Sequence, residues 1–252
     1  MYDLFYSSTE TPATFKNQGN ILLGQGRFPE AEGLYRKAIA LDPAYMPAHY
    51  NLGIALRMQD RLEEALAAFE TAHKLAPGDY EICMNKGVTL IDVERPEEAL
   101  AAFTRANELM PTAPEPLVNM GFAHERMAVL AQGKTGSGQG VAPSTQDHLD
   151  AAIGLYHRAL AINPDIAQAH NNLGFALLLE DRPDEAEESL RRAIALDPNL
   201  ADAHCNLGDA CKTRQRHAEA ESSYRKALAI NPGYEKANKA LGNLLAERGR
   251  TD

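Results

Sequence analysis

Residues 47–77, PAHYNLGIALRMQDRLEEALAAFETAHKLAP, contain the pattern that decides the fold of this chain. The apolar residues Leu62, Leu66 and Phe69 recur at intervals of four and three, which predicts an amphipathic helix. Upstream, Gly53 is small at a place where two antiparallel helices must approach each other closely. The stretch therefore predicts a pair of packed helices.

The same landmarks recur along almost the whole chain. Downstream of six recurring glycines comes the order A-x3-[FYL]-x2-A-x4-P, and the proline marks the break before the next pair. The glycines are 34 residues apart within the first four and within the last three: Gly19, Gly53, Gly87, Gly121, Gly174, Gly208 and Gly242. Because a short helix pair cannot bury its own apolar face, we expect neighbouring pairs to stack into a curved solenoid.

This spacing, together with the Leu-Gly pairs at Leu52-Gly53 and Leu207-Gly208, resembles the tetratricopeptide repeat (TPR) over residues 12–249. The resemblance implies an all-α fold, a right-handed TPR superhelix or α-solenoid, with six helix pairs and a C-terminal capping helix. It also implies that the first helix of each pair lines the concave face.

The expected organisation is an N-terminal tail at 1–11 and a single TPR domain at 12–249. The predicted repeats are 12–45, 46–79, 80–113, 114–166, 167–200 and 201–234, followed by the capping helix 235–249. The fourth repeat contains an insertion, 131–147, which is rich in Gly, Ser, Thr and Gln. We expect this insertion to be a flexible loop between the two helices of that repeat.

An asparagine lies two residues before six of the glycines: Asn17, Asn51, Asn85, Asn119, Asn172 and Asn206. Asparagine is a mediocre helix former and is wasted in an apolar core, so its recurrence indicates a row of solvent-facing amides on one surface. Since a carboxamide both donates and accepts, such a row can pair with the backbone of an extended peptide. The alternative is that the amides bond only to the neighbouring repeat or to water.

The N-L-G triplets at Asn51, Asn172 and Asn206 are similar to those in the TPR region of O-linked N-acetylglucosamine transferases. That resemblance implies that the amides hold protein substrates. It extends to Asn17, Asn85 and Asn119, although the residue after each of these differs.

Lys16 and Asn20, together with Asn51, resemble part of the carboxylate clamp of co-chaperone TPR domains. We do not expect a working clamp, because Glu81 stands where that family has a basic residue and would repel a carboxylate. Lys16 and Asn20 nonetheless belong to the predicted peptide-binding set.

Two other residue types recur. Histidines stand at one repeat position, as His49, His170 and His204, and we interpret them as packing residues because they are a full repeat or more apart. In the turn of each of five pairs, an arginine is followed three residues later by a glutamate, as in Arg61 and Glu64, which predicts a charged turn.

Composition excludes several classes of function. The net charge of −10, with no basic stripe, argues against a nucleic-acid partner. No apolar run is long enough to span a membrane, and residues 1–10 lack the features of a signal peptide. The three cysteines match no metal or redox spacing, so we expect no cofactor, no metal and, by default, a cytoplasmic protein.

No nucleophile, acid–base pair or metal cluster stands out in the sequence. The predicted function is a non-enzymatic scaffold that binds a protein or peptide partner, in extended conformation, along a concave asparagine-lined groove. Two alternatives remain open. One is the substrate-recruiting TPR part of a glycosyltransferase system, and the other is a structural protein that self-associates through its groove.

Overall fold

The computed structural model describes residues 10–134 and 145–249, and within them the chain is helical with short connecting turns. The helices are α1 (Pro12–Gly24), α2 (Phe28–Leu41), α3 (Met46–Arg57), α4 (Leu62–Leu75), α5 (Tyr80–Asp92), α6 (Pro96–Leu109), α7 (Glu115–Lys134), α8 (Thr145–Ile162), α9 (Ala167–Leu179), α10 (Pro183–Leu196), α11 (Ala201–Thr213), α12 (His217–Ile230) and α13 (Glu235–Arg248). The described residues contain no strand. The predicted all-α class, with six helix pairs and a closing helix, is confirmed.

The helices form two compact units. Helices α1–α6 make up the N-terminal unit, which ends at Pro111, and α7–α13 make up the C-terminal unit, which begins at Thr112. Inside each unit, the first helix of a pair contacts its own second helix and also the first helix of the next pair. The single domain predicted at 12–249 remains a prediction.

The repeat glycines are notches that receive a bulky side chain from the second helix. A Cβ on Gly53 would lie 2.7 Å from the ring of Phe69, and that ring is fully buried. Equivalent contacts join Gly19 to Tyr35 and Gly208 to Tyr224. Because the two helices touch at this point, any side chain on the glycine would force them apart.

In five of the helix pairs, the turn within the pair ends the first helix with a left-handed residue. Asp60 has φ of 59°, its N–H bonds the carbonyl of Arg57 at 3.0 Å, and the N–H of Arg61 bonds the carbonyl of Leu56 at 3.0 Å. This pair of bonds is the Schellman arrangement that satisfies the last carbonyls of a helix. Glu94, Asp181, Gln215 and Gly26 occupy the corresponding position in other pairs, all at positive φ.

The recurring arginines follow that left-handed residue, and they bind the glutamates as predicted. Nε of Arg61 donates to Glu64 at 2.7 Å. The structure adds a contact that the sequence did not indicate, since Arg61 also donates to Glu32 of the preceding pair at 2.7 Å. Arg216 binds Glu187 of the preceding pair in the same way, so these ion pairs join successive repeats.

In the fourth pair, the helix ends differ from the boundaries predicted for the insertion. Helix α7 continues to Lys134 and α8 begins at Thr145, so residues 131–134 and 145–147 are helical. Met127 and Ala128 of α7 are buried on one side of this segment, and Leu149 of α8 is buried on the other. The rest of the predicted loop, 135–144, lies outside the described residues.

Candidate functional site

The direction of each asparagine side chain follows from the position of the repeat glycine in the same helix. Two residues before a glycine is about 200° around a helix, so a side chain there points away from the second helix of its own pair. It lies beside the neighbouring first helix, because α3 contacts α1 and α5, while α9 contacts α7 and α11. The structure thus brings the predicted residues onto the faces of the first helices, separately in each unit.

In the N-terminal unit the asparagines keep unused hydrogen-bonding groups. Asn17 is exposed and has no partner among the described residues. Nδ2 of Asn51 donates to Oδ1 of Asn20 at 3.0 Å, and Nδ2 of Asn85 donates to the hydroxyl of Tyr50 at 3.0 Å. Among the described residues, no donor reaches the amide oxygen of Asn51 or Asn85.

The two further predicted residues of α1 differ in their contacts. The amide oxygen of Asn20 already accepts from Asn51 and from the hydroxyl of Tyr35, the latter at 2.9 Å. Lys16 is partly buried and has no ion-pair partner in the described part of the chain. Asn20 therefore helps join the first two repeats through its amide oxygen, and the amino group of Lys16 stays available.

Three asparagines are buried in the C-terminal unit. Asn171, Asn172 and Asn206 are 4%, 8% and 4% exposed. Nδ2 of Asn206 donates to Oδ1 of Asn171 at 2.9 Å, and Asn171 donates to Oδ1 of Asn172 at 3.2 Å. The expectation that the asparagine side chains face solvent is wrong for Asn172 and Asn206, because both are enclosed by this network.

The network continues at both ends and its donors all point one way. Lys236 of α13 donates to Oδ1 of Asn206 at 2.6 Å. At the other end, Asn172 lies beside Tyr156, and the hydroxyl of Tyr156 donates to Glu125 at 3.2 Å. The row of polar side chains thus extends from a cation to a carboxyl group.

Charge and burial differ at the two ends. Lys236 is exposed, forms an ion pair with Asp209 at 3.2 Å, and lies 4.9 Å from the centroid of the Phe175 ring. Glu125 is 5% exposed, and burial raises its pKa to about 7. A buried carboxyl group is protonated more readily because the interior disfavours its charged form.

Sequence reasoning missed most of this network. Glu125, Asn171 and Lys236 do not recur at their repeat positions, so a search for repeated polar residues passes over them. The available signal in the sequence was the pair of consecutive asparagines, Asn171 and Asn172, in α9. The last predicted residue, Asn119, is partly buried and has no hydrogen bond to any described residue.

Each recurring histidine contacts the turn that precedes its own helix. Nε2 of His49 lies 2.9 Å from the carbonyl oxygen of Pro43, and His170 and His204 contact Pro164 and Pro198 in the same way, at 2.9 and 3.0 Å. Each ring thereby binds the turn before its own helix, which agrees with the interpretation as packing residues.

One group of side chains has atoms of the kind that bind metals. Ligand atoms of Glu187, Cys211 and Glu219 lie within 4.8 Å of one another. The carboxylate of Glu187 is, however, already bound by Arg214 at 2.5 Å and by Arg216. Since these guanidinium groups neutralise the carboxylate, the cluster is an ion-pair network that joins two repeats.

Among the helices of the described residues, none is both long enough and apolar enough to cross a bilayer.

Comparisons with known proteins agree with the helix-pair architecture. Sequence profiles of the tetratricopeptide repeat match residues 16–80, 80–112 and 165–233. None of the curated proteins compared with the chain matches it.

Solved structures with the same fold are distant in sequence. TTC0263, a thermophilic TPR protein of Thermus thermophilus, is 23% identical with a TM-score of 0.65, over 80% of this chain and 99% of that one. YrrB, a TPR protein with an unusual peptide-binding site, is 24% identical with a TM-score of 0.57, over 75% and 88%. PilW, a type IV pilus biogenesis factor, is 19% identical with a TM-score of 0.73, over 91% and 98%. Similarity to solved structures at these sequence identities shows the fold alone. The repeat profiles together cover more than half of the sequence. The chain therefore belongs to the tetratricopeptide repeat family.

Proposed function

We propose that the chain is a non-enzymatic interaction scaffold that binds an extended polypeptide on the first-helix face of its N-terminal unit, formed by α1, α3 and α5. The observation that carries this proposal is that the asparagine amides on this face have unused hydrogen-bonding groups. The oxygens of Asn51 and Asn85 accept no hydrogen bond from any described residue, and Asn17 is exposed. An amide oxygen at a surface can accept from the N–H of an extended chain.

The surroundings of these amides suit a polypeptide. Tyr50, Ile54, Met84 and Val88 lie on α3 and α5 and are only partly buried. Apolar contacts of this kind contribute affinity, while the amides read the backbone and so tolerate different partner sequences. The likeness in fold to YrrB, described as having a peptide-binding site, supports the same class of partner.

The C-terminal unit does not offer the same amides. Asn172 and Asn206 use their oxygens inside the buried network, where Gln168, Asn171 and Lys236 are the donors. We therefore restrict the proposed backbone-reading surface to Asn17, Asn51 and Asn85. Part of the asparagine series supports the repeats themselves, which is the alternative that the sequence left open.

The test uses peptides selected from a random 15-residue phage-displayed library on the full chain. The variant Asn17→Ala/Asn51→Ala/Asn85→Ala should bind them about thirtyfold more weakly, because each lost hydrogen bond contributes roughly 0.5–1.5 kcal/mol. Peptides of different sequence should lose similar affinity, since the backbone is read.

The control variant is Asn107→Ala/Asn243→Ala, which removes two helical asparagines from other surfaces, α6 and α13. Its affinity should match that of the wild type. An unchanged affinity in the triple variant, with folding verified by circular dichroism, contradicts the proposal.

A further inference from the structure

Helix α13 has the notch of a first helix, and no described residue fills it. At six repeat glycines, an added Cβ would lie 2.4 to 2.7 Å from a side chain of the second helix. Gly242 is the seventh glycine of the series, and nothing among the described residues lies within 4 Å of its Cβ position. Among the described residues, α13 therefore lacks the contact between a glycine and a second-helix side chain that is present in the six helix pairs.

The wall of this notch is apolar. In three pairs a leucine three residues after the glycine is buried, since Leu56, Leu90 and Leu177 are 1%, 0% and 2% exposed. Leu22 of the first pair is partly buried. Leu245, at the same position in α13, is 43% exposed. A leucine that is buried in three other pairs is thus presented to solvent beside an empty glycine notch.

The notch is held on a well-packed helix. Ala237 and Leu244 are fully buried in the apolar cluster that α13 shares with α11 and α12. Lys212 of α11 binds Glu247 at 2.8 Å, and Lys236 binds Asn206. The opposite side of α13 is therefore fixed, and the Gly242 face has a defined shape before anything binds.

The other pairs define what fits this face. Each notch receives a tyrosine, phenylalanine or leucine from a helix that carries alanine four residues before and three residues after it, such as Tyr224 between Ala220 and Ala227. The second helices α2, α4, α6, α8, α10 and α12 already fill the notches of their own pairs. The occupant must therefore come from outside these helices.

Charge on α13 agrees with such an occupant. Short turns make the two helices of a pair antiparallel, so the C-terminal end of an incoming helix lies toward the N-terminal half of α13. Lys239 is exposed one turn before Gly242. Lys239 complements the partial negative charge in the last turn of such a helix, while the exposed Glu235 lies one turn nearer the start of α13.

We propose that the Gly242 face of α13 is a docking site for an amphipathic helix of the pattern A-x3-[FYL]-x2-A, supplied by another polypeptide. The incoming helix inserts its aromatic or leucine side chain at Gly242, covers Leu245, and completes a seventh helix pair. This site uses different residues from the peptide-binding surface proposed on the first-helix face of the N-terminal unit, and it does not depend on that proposal.

The experiment measures binding of a fluorescein-labelled peptide, QRHAEAESSYRKALAINP, which copies residues 215–232. Fluorescence anisotropy with the full chain should show saturable binding. Gly242→Leu fills the notch and should weaken binding at least about tenfold, as should Tyr224→Ala within the peptide, since either change removes a buried bulky contact. The melting temperature of Gly242→Leu should not fall, because space is open there and leucine is the better helix former.

The matched control is Gly154→Leu in α8, another helical glycine with nothing within 4 Å of its Cβ position. This variant should bind the peptide like the wild type. No saturable binding, equal binding by Gly242→Leu, or equal loss in Gly154→Leu would each overturn the proposal.

Two further outcomes would assign the face to a different occupant and also overturn it. The first is a wild-type dimer in sedimentation experiments that Gly242→Leu converts to a monomer, which would make a second copy the occupant. The second is displacement of the labelled probe by a peptide with the sequence of residues 1–10, which would make the N-terminal segment of this chain the occupant.

Discussion

The hydroxyl of Tyr156 donates a hydrogen bond of 3.2 Å to the carboxyl group of Glu125, and both side chains are buried. Burial raises the pKa of Glu125 to about 7, against the opposing effects of the Tyr156 bond and of the charges on Arg126 and Lys236. The pair ends the polar network that starts at Lys236. We therefore expect the stability of the C-terminal unit to depend on the protonation of Glu125.

The first prediction concerns pH. A carboxyl group with a raised pKa contributes stability that is fully present below its unfolded pKa, near 4.5, and is lost as pH rises through about 7. We expect the free energy of unfolding of the wild type to fall by up to about 3 kcal/mol between these values. Glu125→Gln keeps an acceptor for Tyr156 and should lack this component.

Urea denaturation of the wild type and of Glu125→Gln from pH 4.5 to 8.5 measures the difference directly. Glutamine is the matched neutral side chain, so all other titrating groups cancel in the comparison. Parallel stability profiles would show that Glu125 does not titrate differently in the folded state.

The second prediction concerns the notch. In Gly53→Ala the new Cβ would meet the fully buried ring of Phe69 at 2.7 Å, and we expect a loss of about 1–3 kcal/mol of stability. Gly154→Ala, at an open helical position, should gain about 0.5–1 kcal/mol from its helix propensity. Thermal denaturation of both variants checks the contrast, and a neutral Gly53→Ala would mean that the helices separate easily.

The third prediction concerns the turn between α1 and α2. Gly26 has φ of 74° with nothing within 4 Å, so Gly26→Ala costs only backbone strain, roughly 1–2 kcal/mol. Gly33 lies inside α2, also in open space, and Gly33→Ala should stabilise by about 0.5–1 kcal/mol. Opposite shifts in urea midpoint are expected, and shifts of the same sign would contradict the conformational explanation.

The fourth prediction separates two asparagines at the same repeat position. Asn206→Ala removes the acceptor of Lys236 and the donor to Asn171 inside a buried network, so we expect a loss of about 1–3 kcal/mol. Asn17 is exposed, and Asn17→Ala should be neutral or slightly stabilising, because alanine is the better helix former. Equal stabilities in chemical denaturation would show that the network contributes nothing to the fold.

Most of the fold was predictable because it depends on local spacing. The intervals between Gly53, Ala65, Phe69 and Pro77 report helix periodicity and close approach, and the structure confirms the helices and the notch. The ends of the fourth-repeat insertion were not predictable in the same way. A polar composition favours a loop, but α7 continues to Lys134 and α8 begins at Thr145, and no local sequence signal marks these two ends.

The sequence by itself determined the number and order of the helices, the glycine notches and the repeated asparagine position, because each depends on residues within one repeat. The tertiary structure decided what each asparagine does. Asn51 bonds a residue 31 positions away and Asn206 one 35 positions away, so neighbouring first helices set their partners. Burial of Asn206 and exposure of Asn17 follow from what packs beside each helix, and no local pattern records that packing.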